Sequence, residues 1–152
     1  MTIWRPTSSI RVKALGLHWR GGKLLAAEVR DDGGRVKGVR PPGGGIEFGE
    51  PAEAALRREF REELGVDVDV LGGPIVLENL YVHEGSPGHE ILFIYEVRFP
   101  PGAFDGEERI AFSENDGTPC LARWYGLEQL DVDGGPALFP TGLKSRLVAA
   151  GR

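Results

Sequence analysis

Hydrophobic and polar positions alternate with two different periods along this chain, and each change of period marks an element boundary. Ile10, Val12 and Ala14 alternate with Arg11 and Lys13 up to Leu17, which is the period-two pattern of a half-buried strand. Lys23 to Arg30, carrying Leu24, Leu25, Ala26, Ala27 and Val29, predicts a second strand, and Asp32-Gly33-Gly34 predicts a hairpin turn into a third over Arg35 to Arg40. The period then changes. Leu56, Phe60 and Leu64 recur every fourth residue, an apolar stripe along a helix. Pro51 suits the first helical position, where its missing N–H needs no partner, and Gly65 suits the position just past the end. Most residues between them are good helix formers, so a helix over Pro51 to Leu64 follows.

Beyond Gly65 the alternation resumes in Val66-Asp67-Val68-Asp69-Val70. Ile75 to His83 and Glu90 to Phe99 predict a hairpin around Gly85-Ser86-Pro87-Gly88, and Ile91 to Tyr95, apolar on both faces, predicts a central strand. Gly102 to Pro119 is polar and glycine-containing and reads as a loop with a little structure. Ala122 to Leu130 reads as a short strand and a turn entering a helix, and Pro140 to Ala150 as a terminal helix with Thr141 as its cap. There is no internal repeat. Strands before and after one long helix, with a second helix at the end, predict an α/β fold in which a mixed sheet is covered on two faces.

At about 100° per residue, Glu59, Glu62 and Glu63 share one helix face beside the apolar stripe. Glu59 and Glu63 are like charges one turn apart, which disfavours an isolated helix by a few tenths of a kcal/mol. A bound cation removes that conflict, and magnesium, a hard ion, prefers such oxygen ligands. Upstream, Pro41-Pro42-Gly43-Gly44-Gly45 fits neither helix nor central strand, and its glycines let backbone approach a ligand closely. An acidic helix face alone is usually a solvated surface. Here Glu50, Arg58, the glycine run and Gly65 also stand at fixed offsets around it.

Those offsets are specific. Gly44, Glu50 and Arg58-Glu59-Phe60-Arg61-Glu62-Glu63-Leu64-Gly65-Val66 occupy every fixed position of a known signature, and the segment Gly44 to Val66 resembles the Nudix box. Ala122-x-Trp124-x-x-Leu127 also looks like a late strand of that family, which extends the resemblance over the chain. It implies a Nudix fold, an α/β/α sandwich with a mixed β-sheet and the box as loop, helix and loop. It also implies hydrolysis, by a metal-activated water, of a pyrophosphate linkage in a nucleoside diphosphate joined to another group. The implied metal is Mg2+, with Mn2+ as a substitute, and no Ser or Cys nucleophile is required. By the same resemblance, Glu59, Glu62 and Glu63 ligate metal together with the carbonyl of Gly43, Glu50 braces or extends that site, and Arg58 orients the glutamates by ion pairing. Either Glu62 or Glu63 could instead be the general base. The family often adds an acid from a loop near the late strands; Glu107, Glu108, Glu114 and Asp116 are candidates, and Glu114, between Ser113 and Asn115, is preferred. Phe60 departs from the pattern, which more often has an aliphatic residue there.

A second class, a Nudix-fold module that binds or senses a nucleotide without cleaving it, usually lacks a box acid. This chain keeps Glu50, Glu59, Glu62, Glu63 and Arg58, which favours the enzyme. The substrate is not readable: nucleoside triphosphates, nucleotide sugars such as ADP-ribose, dinucleoside polyphosphates and capped ends share the pyrophosphate.

Composition narrows the setting. With 152 residues and 41% hydrophobic content, residues 1–152 fit one domain with a real core. A net charge of −5 with scattered Lys and Arg argues against a duplex-binding face. Cys120 stands alone, which excludes an intramolecular disulfide, a zinc ribbon and a Cys-x-x-Cys redox pair. The amino terminus lacks the apolar core of a signal peptide and no run reaches the length of a membrane span, so a cytoplasmic protein is expected. Exposed edge strands could support a homodimer. His83-Glu84 and His89-Glu90 flank a turn and are expected in solvent, with the pocket rim as the alternative. Trp19, Phe48, Tyr81, Trp124 and Phe139 are candidates for stacking a base, each more often core than ligand.

Overall fold

Two mixed sheets carry the strands. The computed structural model describes residues 3–152; Met1 and Thr2, at the amino-terminal segment read above for a signal peptide, lie outside the described residues. In chain order the elements are β1 (Ile10–Leu17), β2 (Trp19–Arg20), β3 (Lys23–Arg30), β4 (Val36–Arg40), β5 (Gly43–Gly45), α1 (Ala52–Leu64), β6 (Asp69–His83), β7 (Ser86–Arg98), β8 (Arg109–Ser113), β9 (Pro119–Tyr125), β10 (Ala137–Leu138) and α2 (Leu143–Ala149). One sheet runs β5-β1-β7-β6, with β1 and β7 parallel. The other runs β10-β4-β3-β9-β8, with β2 also on β3 and β10 parallel to β4.

Successive residues of the inner strands go to opposite cores, because strand side chains alternate in direction. Ala14 and Leu25 pack with Leu56, Phe60 and Leu64 of α1, while Leu15, Leu24 and Ala26 pack with Leu143 and Leu147 of α2. Each helix therefore covers a different core that both sheets share, the layered α/β arrangement expected. Leu56 and Phe60 are essentially inaccessible, and burying each stabilises by about 1.5–3 kcal/mol. The aromatic departure at Phe60 has a local reason. A Cβ on Gly16 of β1 would lie 2.5 Å from the Phe60 ring, so the glycine makes room for it.

Several boundaries differ from the sequence reading. Gly102 to Pro119 contains β8, whose Ile110 is buried under α1; the flanking glycines and acids mask its short alternation. The β6–β7 turn is Glu84-Gly85, with φ 49° and 80°, so Pro87 and Gly88 lie within β7. Two consecutive positive φ values are the mark of a type I′ hairpin turn, whose twist matches the strands. β6 runs unbroken past an irregularity between Leu71 and Ile75, where Gly72-Gly73-Pro74 interrupts the register. Pairing there starts at Asp69, so Val66 to Val68 form a connection. Pro51 has extended backbone and caps α1 from outside. Tyr125 is followed by a single 3-10 turn, Leu127–Gln129, and no helix. Gly142, not Thr141, precedes α2. The glycine run forms β5, an edge strand, consistent with its exclusion from the sheet centre. Among the described residues no helix is long and apolar enough to cross a membrane.

Candidate active site

The start of the site is a pair of close approaches that only glycine allows. A Cβ on Gly43, at φ 151°, would lie 2.0 Å from the Ala14 carbonyl oxygen, and one on Gly44 would lie 2.4 Å from the Glu59 carboxyl carbon. The glycine strand is thereby pressed between β1 and the acidic face of α1. Gly65, left-handed at φ 69°, closes the helix by donating its N–H to the Arg61 carbonyl, so the glutamates project from a helix fixed at both ends.

Arg58 cross-braces this unit. Its Nε and Nη2 donate to the two Glu50 carboxylate oxygens at 2.7 and 2.8 Å, Nη2 also donates to the Gly45 carbonyl at 3.0 Å, and Nη1 donates to Glu59 at 3.0 Å. A planar guanidinium suits such a fork, which ties loop, strand and helix together. The ion pair holds the Glu50 carboxyl far below its usual range, at about 2, and raises the Arg58 pKa. Glu62 lies outward, with its carboxylate 3.4 Å from Arg58 Nη1.

Glu59 and Glu63 face the cleft, one almost fully buried and the other partly so. Burial, the adjoining Glu59 carboxylate and the charge of Glu114 push the Glu63 carboxyl up to about 8. Glu114, in the β8–β9 turn, reaches the same place and accepts a hydrogen bond from Cys120 Sγ at 3.4 Å. Burial and those acids push the Cys120 thiol up to about 12, which leaves no thiolate to act as a nucleophile.

Of the sequence-predicted residues, Gly43, Glu59, Glu63 and Glu114 thus converge on one cleft; Glu50 and Arg58 stand behind it, and Glu62 does not line it. Asp116 lines the same cleft, though its carboxylate is used by the Thr118 N–H. Glu107 and Glu108 lie elsewhere. Among the described residues no three His, Cys, Asp or Glu side chains are already gathered as a metal cage.

The cleft, of about 930 Å³, extends well beyond the acids. Its middle holds Lys13, whose Nζ lies 2.7 Å from Glu90, with both side chains under a tenth exposed. Asn79 donates to the second Glu90 oxygen at 3.3 Å. Burial, then the neighbouring Arg40, lowers the Lys13 pKa to about 8; burial opposes ionisation of Glu90, but Lys13 holds it below the usual range. At the far end stand Trp4, Tyr81, His83 and Phe139. His83 ends β6 as its pattern predicts, but it is buried in the cleft wall and not in solvent, which is the pocket-rim alternative; its Nδ1 meets Lys37 Nζ at 2.5 Å and its ring meets Trp4 edge-on. Burial and then Lys37 lower its pKa. His89 is paired with Glu78.

Two of the stacking candidates, Tyr81 and Phe139, therefore reach the cleft. Phe48 is fully exposed, Trp19 packs against the α2 core, and Trp124 is buried under Arg20. Sequence reasoning missed Trp4, Lys13 and Asn79, and expected Glu90 in solvent with the pocket rim as the alternative, where the structure buries it in the cleft. Lys13 occupies the polar phase of β1, and only the parallel pairing of β1 with β7 puts Glu90 beside it.

Comparisons with known proteins agree with this fold. A search of curated proteins by sequence finds no match. In fold, the chain is similar to the E. coli ORF135 protein (20% identity over 92% of this chain and 89% of that one, TM-score 0.60). It is also similar to a MutT NUDIX hydrolase from Burkholderia pseudomallei (18%, 93% and 99%, TM-score 0.56). A UDP-X diphosphatase is similar as well (17%, 95% and 64%, TM-score 0.56). The NUDIX domain profile matches residues 10–142, most of the chain, and the chain therefore belongs to the NUDIX family of hydrolases.

Proposed function

We propose that residues 1–152 act as one Nudix domain that hydrolyses a pyrophosphate linkage in a nucleoside diphosphate joined to another group, with Mg2+ or Mn2+ as cofactor. One observation carries the reading: the adjoining carboxyl groups of Glu59 and Glu63 face a glycine-backed cleft, and the second is pushed up to about 8. Two carboxylates in a partly buried site repel each other unless a cation stands between them. The donors are all hard oxygens, which fits a divalent ion of the kind Nudix hydrolases generally use.

Glu59 and Glu63, with the Gly43 carbonyl, would hold that ion; Glu62 would join them by leaving Arg58. When bound, the ion neutralises phosphate oxygens and makes a water acidic enough to attack. Glu114, or whichever of Glu62 and Glu63 is not engaged by metal, would take the proton from that water. Glu50 would act through Arg58, which keeps the helix acids in register with the glycine strand. Arg11, Lys13 and Arg40 line the cleft beyond the acids, where cations would meet the remaining phosphate charge. Tyr81 and Phe139 offer faces on which a base could stack.

Formation of the two phosphorylated products, such as AMP and ribose 5-phosphate from ADP-ribose, would be followed by anion-exchange chromatography for nucleoside triphosphates, nucleotide sugars and dinucleoside polyphosphates, with Mg2+, with Mn2+ and with a chelator. At least one compound should turn over with metal and none with the chelator. Nucleotide binding without turnover of any compound would instead favour the non-catalytic module.

A further inference from the structure

A second hollow, of about 680 Å³, shares no lining residue with the cleft, and its charge is the reverse of the cleft's acid end. Arg20, Lys23, Arg109 and Arg123 line it with Trp124, and Glu108 is the acid among the lining residues. Strand register brings the cations together. Arg109 of β8 stands directly opposite Arg123 of β9, and Arg20 of β2 directly opposite Lys23 of β3. Like charges directly opposite on neighbouring strands are destabilising unless something of opposite charge lies between them.

The site is also partly built. The Arg20 guanidinium lies 3.4 Å over the Trp124 ring and donates to the carbonyls of Phe104 and Glu107, at 3.2 and 2.6 Å, so it is fixed before any ligand arrives. Arg123 Nε is buried and has no hydrogen-bond partner among the described residues. A buried donor without an acceptor is uncommon in folded proteins and calls for an explanation. An oxyanion in the hollow would relieve the repulsion between the facing cations, and a turn of the Arg123 guanidinium toward it would give the buried Nε an acceptor, since guanidinium groups match phosphate geometry.

We propose that this hollow binds a phosphate-bearing anion, separately from the hydrolytic cleft. Arg109 and Glu114 begin and follow the same strand, five residues or about 16 Å apart, so one small phosphate group could not fill both places. The shared chemistry is a di- or trianionic phosphate, whether free or carried by a nucleotide.

The test uses the whole chain in chelator, so that metal-dependent binding in the cleft is silent. Inorganic pyrophosphate and adenosine monophosphate are titrated separately, followed by calorimetry and by heteronuclear NMR of the backbone amides. Saturable binding with shifts at Lys23, Arg109 and Arg123 is expected, weakened at least about tenfold in both Arg109→Gln and Arg123→Gln and unchanged in Glu63→Gln. Equal affinity for the two probes would assign the site to free phosphate chemistry, and tighter adenosine monophosphate to a nucleotide. Arg109 is exposed at the strand end and its substitution relieves the repulsion with Arg123, so the thermal midpoint should not fall, which keeps the test valid if Arg123→Gln misfolds. No saturable binding, unchanged affinity in Arg109→Gln, or shifts confined to Gly43–Gly45 would overturn the proposal. None of these outcomes depends on catalysis, so the site stands or falls apart from the hydrolase reading.

Discussion

At the acid end of the cleft, the walls come from the Gly43 to Glu63 segment with Glu114 added from a turn; beyond it, they come from Lys13 and Glu90 in the middle and from Trp4, Lys37, Tyr81, His83 and Phe139 at the far end. The first end is one loop and one helix, continuous in sequence, and Arg58 fastens it internally. The second is assembled from the amino-terminal segment, both sheets and the residues beside β10. A contiguous device can be recognised from spacing because helix geometry alone aligns its groups. An assembled surface depends on which strands pair, and in what register, so single positions carry no mark of it. Under the proposed function, reaction chemistry and substrate choice reside in parts of the molecule that differ in legibility.

Substitutions at the acid end should have the largest effects. Glu63→Gln should lower metal-dependent turnover by about a hundredfold or more with the fold intact by circular dichroism. Glu62→Gln should cost less, because Glu62 meets Arg58 outside the cleft; equal rates for wild type and Glu63→Gln would remove the acid pair from the chemistry. Arg58→Met should act one step back, lowering turnover by about ten- to a hundredfold and raising the metal concentration needed for half-maximal rate. A loss of rate with an unchanged metal requirement would argue for a different role.

The middle and far end answer to different readouts. Lys13→Met leaves Glu90 buried without its cation and should destabilise the protein by about 3 kcal/mol in denaturant unfolding. Phe139→Ala should raise KM by roughly tenfold, with kcat little changed, if its ring stacks a base. A change confined to kcat would move Phe139 out of substrate binding.

How far the sequence reached can be judged on particular residues. Gly65 closes α1 as its position implied, and Leu56 and Phe60 form the buried stripe. Glu114 was one acid among four in a stretch read as loop; it is the β8–β9 hairpin, hidden because Ile110 and Phe112 alternate over only five residues, that carries it to Glu63. By sequence, His83 is expected in solvent because it ends a strand beside Gly85 to Gly88, which contains two glycines and a proline. A two-residue turn at Glu84-Gly85 leaves the later residues in strand, where Gly88 accommodates the Tyr81 ring. Gly16 shows the same limit in the core: nothing local says that Phe60 will lie against it.

A smaller effect separates scaffold from site. His18 stacks on Phe99, accepts a hydrogen bond from Trp124 Nε1 and is kept neutral, its pKa lowered to about 4 by burial and then by Arg20. The unfolded chain takes up this proton near pH 6.5 and the folded one near 4, so the His18 contribution to stability is lost as pH falls through that window. Thermal midpoints across it should fall less steeply in His18→Asn than in wild type. Parallel slopes would show that His18 is not the group responsible.

The central claim is that Glu59 and Glu63 hold a divalent metal against the glycine strand. Its most direct test is Mn2+ titration followed by electron paramagnetic resonance, on the wild-type protein and on the Glu59→Gln/Glu63→Gln double variant. A saturable site is expected in the first and its loss in the second. Equal Mn2+ affinity in the two proteins would contradict it.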